Sequence, residues 1–306
     1  MRQYVLRRLL HSALTLFGVS LVVFGLLRVL PGDPARMLLP DGAPQSAVDD
    51  LSRQLGLREP LYVQYAIFLQ SVVRGDFGQS FQFRTAATDV VAERISATIH
   101  LSLAALVLTV VFGVPLGILA AARHRSALDY GGMFLAALGQ SLPSFWLGIM
   151  LILLFGVTLG WLPTSDYRGP SYLVLPALTL ASFPTALVAR LTRSSMLEVL
   201  GREYIRTARS KGLRDRAVIV GHALKNAAIP LVTILGLQVG VLLSGAVITE
   251  SVFSWPGIGK LVVDSISRRD FPVVQTVLIL SSTVFIVVNL AIDLTYTVLD
   301  PRIRYR

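Results

Sequence analysis

The most informative pattern along the chain is the spacing of its charges. Six stretches carry no Asp, Glu, Lys or Arg: 9–27, 95–122, 130–165, 169–189, 226–249 and 271–292. A helix of about 20 apolar residues crosses the roughly 30 Å hydrocarbon core of a bilayer, and a charge at its centre costs about 3 kcal/mol. The next longest charge-free run, 60–73, is too short to span. The pattern therefore predicts six transmembrane helices and an all-α integral membrane protein. The first stretch follows Arg2, Arg7 and Arg8, as in a signal peptide, yet it runs into Pro31-Gly32-Asp33-Pro34 without a clear small-x-small cleavage site and reads as a retained helix. The third stretch is too long for one straight span. It predicts a tilted helix to about Leu159 and then an interfacial loop at Trp161, Pro163 and Tyr167. The last helix is expected to end at Asp300-Pro301.

Composition sharpens this. With 54% hydrophobic and 15% charged residues and a mean hydropathy of +0.66, the 306-residue chain is neither disordered nor an ordinary water-soluble domain. The absence of cysteine excludes disulfides, iron–sulfur clusters, thiolate zinc sites and cysteine nucleophiles. The net charge of +10 is not spread evenly. With the N-terminus inside, 17 of the 28 Lys and Arg residues fall in predicted cytoplasmic segments, against 5 of the 18 acids. Both termini are thus expected in the cytoplasm, and the basic excess reports which loops face the cytoplasm, with no support left for nucleic-acid binding.

The chain divides into residues 1–30, the N-terminus and first helix; 31–97, a small extracytoplasmic subdomain; and 98–306, the remaining five spans with a cytoplasmic loop at 192–226. In the subdomain, Ser46 with Asp49 three residues on resembles a capping box, and Leu61 to Val73 reads as a short helix. Its acids Asp41, Asp49, Asp50 and Glu59 form either a solvated surface or a dock for a soluble partner.

The cytoplasmic segment Arg190 to Lys225 holds nine basic residues and a short helical pattern from Glu203 to Gly212. Tyr204, Ile205 and Ala208 share one face, Arg202, Arg206 and Arg209 lie toward another, Glu203 suits the positive first turn, and Gly212 suits a left-handed end. A helix lying on anionic lipid needs clustered Lys and Arg but no particular Glu, Ala or Gly. The pattern instead suits a protein socket entered by small Ala208. Asn226 to Pro230 is expected to open the fifth span, with Pro230 in the first turn.

Pathway candidates are polar or kinking residues inside spans: Gln140, Ser141, Pro143 and Ser144 in the third helix, Gln238 and Ser244 in the fifth, and Asp293 in the last, with Asn289 one turn before it. Ordinary interhelical hydrogen bonding accounts for the same residues. Pro115, Pro143, Pro176 and Pro184 are each expected to kink a helix. Glu250 sits at the outer end of span five, where solvation is easy. Trp255-Pro256-Gly257-Ile258-Gly259 reads as a constrained outer loop whose glycines permit a tight turn. His11, His100, His124 and His222 lack metal-ligand spacing, so no metal site is expected.

At these residues the chain resembles the inner-membrane permeases of binding-protein-dependent ATP-binding-cassette importers, in the dipeptide, oligopeptide and nickel branch. The likeness rests on Leu30-Pro31-Gly32-Asp33-Pro34-Ala35, Leu55-Gly56-Leu57, Pro60 to Tyr65, Arg74-Gly75-Asp76-Phe77-Gly78, Ala189 to Met196, Glu203 to Gly212, Trp255 to Gly259 and Asp300-Pro301-Arg302. The resemblance implies a helix that docks on an ATPase subunit, carried here by Glu203, Tyr204, Ile205, Arg206, Thr207, Ala208, Lys211 and Gly212 with Ile229 and Pro230 downstream. The family's usual Glu-Ala-Ala is Glu203-Tyr204-Ile205 in this chain. It further implies a second permease, two ATPases holding ATP and Mg, an extracytoplasmic binding protein, an outer gate or binding-protein contact at Trp255 to Gly259, a peptide cargo, and a bacterial or archaeal plasma membrane. Nickel, glutathione or another small solute are the alternatives for cargo. The chain has no phosphate-binding loop of its own, since Gly259-Lys260 is followed by Leu261. No cofactor and no enzymatic activity are therefore expected in it. A membrane enzyme built on Asp293 is disfavoured because no His lies in the last helix, and an ATP-independent carrier lacks an evident inverted repeat.

Overall fold

The computed structural model describes residues 2–29, 35–36, 39–40, 42–54, 56–243 and 246–299. Helix α1 (Arg2–Val29) precedes two short helices, α2 (Gln45–Gln54) and α3 (Leu61–Arg74). Helix α4 (Ala87–Leu108) runs through a π-helical segment, Thr109–Gly113, into α5 (Val114–Ala122). Then come α6 (Ala127–Ser141), α7 (Ser144–Leu151) with a π-helical extension Ile152–Thr158, α8 (Pro170–Leu200) and the short α9 (Glu203–Ser210). A π-helical segment Ala217–Ala223 leads into α10 (Leu224–Leu243), followed by α11 (Val247–Val252), α12 (Ile258–Ser267) and α13 (Phe271–Leu299).

Among the described residues, four helical stretches are long and apolar enough to cross a membrane: Leu6–Leu26, Ala87–Ala122, Pro170–Leu200 and Phe271–Ile292. Two bent pairs bring the number to six if each pair is one span. The third charge-free stretch is not the tilted helix that its length predicts. It breaks between α6 and α7 with a bend of 104°. Pro143 lacks an amide donor and drives Leu142 into the extended region at ψ 129°. The other three prolines do not interrupt their helices: Pro176 and Pro184 lie inside continuous α8, and Pro115 occupies the first turn of α5. Charge gaps also misplace two boundaries. Residue 97 falls inside α4, which starts ten residues earlier because Asp89 and Glu93 are exposed, and the loop expected from 192 begins inside α8, which runs to Leu200.

Helices α4 and α5 pack along α8 through a stripe of residues that are small except for Leu101. Ala97, Leu101, Ala105, Thr109, Gly113, Gly117 and Ala121 recur at intervals of four on the buried face. Leu103, Val107, Val111 and Leu119 point away and are exposed, which suits a hydrocarbon solvent. In lipid, apolar side chains gain nothing by leaving one apolar medium for another, so helix association depends on close backbone approach and polar contacts. Gly117 supplies the closest approach: a methyl group there would sit 2.5 Å from the carbonyl oxygen of Ala189 and overlap Thr192. Buried hydroxyls in the stripe satisfy themselves on their own helices, Thr109 donating to Ala105 O at 2.8 Å and Thr192 to Val188 O at 2.7 Å.

The two ends of this pair carry different cores. At one end Ala121, Met196, Val199, Ile205, Ala208, Val218, Ala223 and Ala227 pack together. At the other, Ala97, Leu101, Ala177 and Trp255 form a second cluster. From residue 97 to 121 a helix rises about 36 Å, which is the thickness of a membrane with part of its headgroups.

Two buried carboxylates pin the second end. Glu250, expected to be solvated, has no exposed surface. Its Oε1 accepts from Thr98 Oγ1 at 2.8 Å and its Oε2 from the Lys260 amide at 2.9 Å, so a side chain from α11 satisfies the start of α12. Thr98 Oγ1 in turn accepts from the Ile258 amide at 2.9 Å. This explains Gly257 and Gly259 differently from the expected tight turn, because neither has positive φ. A methyl group at Gly257 would overlap the Glu250 carboxylate, and one at Gly259 would sit 2.9 Å from Glu250 Oε2. Asp270, equally buried, accepts from the hydroxyl of Ser80 and from the amides of Phe81 at 3.1 Å and Gln82 at 3.3 Å. It thereby fastens the loop before α4 to the start of α13.

Outside this frame, α3 packs on α1 through Tyr65, whose hydroxyl meets Ser20 Oγ at 2.8 Å and whose ring lies edge-on to Phe17 and Phe24. The capping box expected at Ser46 does not form, since α2 already begins at Gln45. Asp49 pairs instead with Arg58, and Asp50 with Arg53 at 3.0 Å. Asp41 lies outside the described residues.

Gly117→Ala is expected to lower stability by about 1–3 kcal/mol by forcing α5 off α8. Gly131→Ala, where a methyl group meets nothing within 4 Å, serves as the control. Thermal unfolding in detergent measures both, and equal midpoints for the two variants refute the close-approach argument. In the same assay Glu250→Ala, which strands the Lys260 amide and Thr98 hydroxyl, costs about 2–3 kcal/mol, whereas Glu250→Gln, keeping one acceptor, costs less.

Candidate coupling surface and pathway residues

The basic segment after α8 turns sharply at Gly201 and forms α9, eight residues and about 12 Å long. Its sequence pattern is read by the structure in an unexpected sense. Ile205 is fully buried and Ala208 nearly so, both packed into this chain's own core against Met196, Val199 and Val218. Ala208 is therefore not a knob offered to a partner. It lets α9 sit close on the ends of α5 and α8, and Ile205 is the anchor beside it. Tyr204 is 40% exposed, and its hydroxyl accepts from Asn226 Nδ2 at 2.9 Å, tying α9 to the start of α10.

The remaining residues of the helix face outward. Glu203, Arg206, Thr207, Arg209, Ser210 and Lys211 are all exposed. Arg209 pairs with Asp215 at 3.4 Å, and Arg202 with Glu198 at 2.6 Å. Gly212 adopts φ +77°, the left-handed conformation expected from the sequence, and ends the helix beside Lys211. Pro230 is not in a first turn: it lies inside α10, at a 57° bend between Ala217–Ala228 and Pro230–Leu243. The Ile229 side chain lies outside the described residues.

Of the pathway candidates, Gln140, Ser141, Pro143 and Ser144 gather at the bend between α6 and α7, where the Gln140 side-chain carbonyl accepts from Arg190 of α8. Gln238 is buried in α10. Ser244 and the side chain of Asp293 lie outside the described residues. Trp255, Gly257, Ile258 and Gly259 are buried, with Trp255 Nε1 donating to Ala97 O at 2.9 Å. They brace the fold from within and present little surface to a partner; Pro256 alone of the five is half-exposed. Among the described residues no three His, Asp or Glu side chains gather as for a metal.

Sequence reasoning missed the polar lock next to α9's end of the bundle. Asp129, at the start of α6 and 1% exposed, receives Arg193 of α8 through both oxygens, at 2.5 and 2.8 Å, and also the Arg125 amide at 3.0 Å and His124 Nδ1 at 3.1 Å. The signal was legible: Ser126 with Asp129 three residues on has the sequence of a capping box, and Ser126 Oγ does accept from the Asp129 amide at 3.4 Å, while the carboxylate takes the Arg125 amide in place of the Ser126 amide. Glu250 and Asp270 were missed too, because each borders a charge-free run and so passed for a solvated end.

Comparison with known proteins follows the same landmarks. The family model for the binding-protein-dependent transport system inner membrane component matches residues 113–305, and the model for the N-terminal part of such membrane components matches 1–104. The glutathione transport system permease protein GsiC of Escherichia coli is 43% identical over 306 residues, covering all of both chains. The dipeptide transport system permease protein DppB of Alkalihalophilus pseudofirmus is 39% identical, again over the whole of both, and the di/tripeptide permease DppB of Pseudomonas aeruginosa is 42% identical. Among solved structures, the inward-facing MetNI methionine ABC transporter aligns with a TM-score of 0.57 at 17% identity, covering 70% of this chain and 97% of that one, a likeness of fold. Two family models that together take in nearly the whole chain, and relatives alike from end to end, agree: the chain belongs to the inner-membrane permeases of binding-protein-dependent ABC importers, in the peptide branch.

Proposed function

We propose that this chain is one of two permease subunits of an ATP-driven importer and that α9 takes up the movement of a separate ATPase subunit. The observation that carries this reading is the division of α9 into two faces. Ile205 and Ala208 are fixed in the permease core, while Glu203, Arg206 and Thr207 of the same helix, and Lys211 just after it, project into solvent. A helix gripped from outside transmits force only if its inner face cannot slip, and the buried pair supplies that grip. The core beneath it joins α5, α8 and the segment before α10, so displacement of α9 reaches three long elements at once. Closure of two ATPases around ATP and Mg then drives the bundle between inward- and outward-open states.

In this reading six spans place both termini and α9 in the cytoplasm, with α2 and α3 outside on the plasma membrane of a bacterium or archaeon. An extracytoplasmic binding protein delivers the cargo to the end held by Glu250 and Asp270. Full-length likeness to permeases named for dipeptides, di/tripeptides and glutathione favours a short peptide as that cargo. Gln140, Ser141, Ser144, Gln238, Ser244 and Asp293 remain the candidates for the pathway, with the bend at Pro143 their best-placed group.

The cysteine-free chain allows a direct test. In the assembled importer, Thr207→Cys is expected to cross-link to an ATPase subunit carrying single cysteines in its surface groove, and Ala208→Cys is not. Ile205→Asp, which buries an unpaired charge beneath α9, is expected to reduce peptide-stimulated uptake at least about tenfold while the ATPase subunits still hydrolyse ATP. Cross-linking of neither position, with α9 labelled only by lipid probes, sinks the coupling role.

A further inference from the structure

A polar cavity of about 260 Å³ opens beside the Trp255 to Gly259 turn, at the end of the bundle opposite α9. Besides that turn, its walls come from Gln82 and Phe83 of the loop before α4, Arg94 of α4 itself, Lys260 and Asp264 along α12, and Arg268 just after it. Lys260 is paired with Asp264 at 2.7 Å. Neither Arg94 nor Arg268 meets a carboxylate among the described residues, so the cavity holds an excess of two positive charges.

Two of these wall elements are held in place by buried carboxylates. Asp270 clamps the loop that carries Gln82 and Phe83, and Glu250 clamps the start of α12. Three of the five non-glycine residues with positive φ among the described residues also sit here: Ser254 at 49° lines the cavity, and Arg84 at 58° and Arg269 at 59° adjoin its walls. Strained backbone persists where the surroundings over-determine it, and it collects at sites that must hold a shape. Sites for whole small molecules run to roughly 300–1,000 Å³, so this cavity matches a side chain or two better than a complete peptide.

We propose that this cavity is an anion socket that receives one or two carboxylate side chains from the extracytoplasmic binding protein when it docks. The inference rests on the importer reading and adds the chemistry of its docking face. It places the docking charge on the permease as basic side chains, whereas two of the acids of the outer segment, Asp49 and Asp50, are paired within that segment. Two guanidinium groups held apart by a stiff frame favour carboxylates, which each can bind through two parallel hydrogen bonds. A socket already in shape loses little freedom on docking.

The test uses the assembled importer in nanodiscs, titrated with its purified binding protein at 50 and 200 mM NaCl. The Arg94→Gln/Arg268→Gln double variant is expected to weaken docking at least about tenfold at low salt and to flatten the salt dependence, while Arg94→Lys/Arg268→Lys keeps most of both. Size-exclusion elution reports assembly, and if the double variant fails to assemble, Arg268→Gln alone, on an exposed turn, is expected to give a several-fold loss. Unchanged affinity and salt slope in the Gln variants overturn the socket. So does a result in which the variants lose phosphatidylglycerol but not the binding protein when nanodiscs of phosphatidylglycerol and phosphatidylcholine are compared. Failure of the binding protein to dock even on the unmodified assembly overturns the importer reading on which the socket rests, and is thereby told apart from failure of the socket alone.

Discussion

The contact of α5 with α8 at Gly117 is the approach on which the rest of the bundle depends. Its methyl-free surface brings the α5 backbone against the carbonyl of Ala189, and the small residues on either side carry the same closeness toward both ends. Because lipid offers no hydrophobic reward for burying leucine, the dispersion and polar interactions that such close approach permits are what hold these helices together. The large apolar side chains can then be left facing outward, as Leu103, Val107 and Leu119 are. A stiff pair of helices of this kind keeps the distance between its two ends fixed.

Each end is finished with buried carboxylates that meet specific partners. Asp129 with Arg193 locks the start of α6 to α8 near the α9 core. Glu250 and Asp270 do the same at the far end, but their partners are backbone amides and hydroxyls instead of a cation. Carboxylates used in this way organise loops that have too little apolar surface to pack by themselves, and removing one strands several donors at once. The glycines of the Trp255 to Gly259 turn are a consequence of that arrangement: the carboxylate of Glu250 occupies the space where their side chains would be.

Between these ends the helices differ in continuity, and the difference bears on movement. Helix α8 runs unbroken through Pro176 and Pro184, whereas α6 and α7 part at Pro143 and α10 bends at Pro230. A bundle that combines continuous helices with two jointed ones has places at which to bend and members against which to bend. The grip of Ile205 and Ala208 joins the short α9 to continuous α8.

The sequence by itself determined that the chain is a helical membrane protein, roughly where its apolar segments lie, that Gly212 ends a short helix in the left-handed conformation, and which family it resembles. These follow from local rules: charges are costly in hydrocarbon, glycine tolerates positive φ, and motifs keep their spacing. Tertiary structure alone decided which face of α9 is free, because Ile205 and Ala208 are as apolar toward a partner as toward their own core. It alone decided that Pro143 breaks a helix while Pro176 and Pro184 do not, since neighbouring helices set whether a lost hydrogen bond is tolerated. Burial of Glu250 and Asp270 was equally invisible in one dimension, because a carboxylate at the edge of an apolar run looks the same whether water or a distant backbone amide satisfies it, and only the folded chain brings those amides within reach.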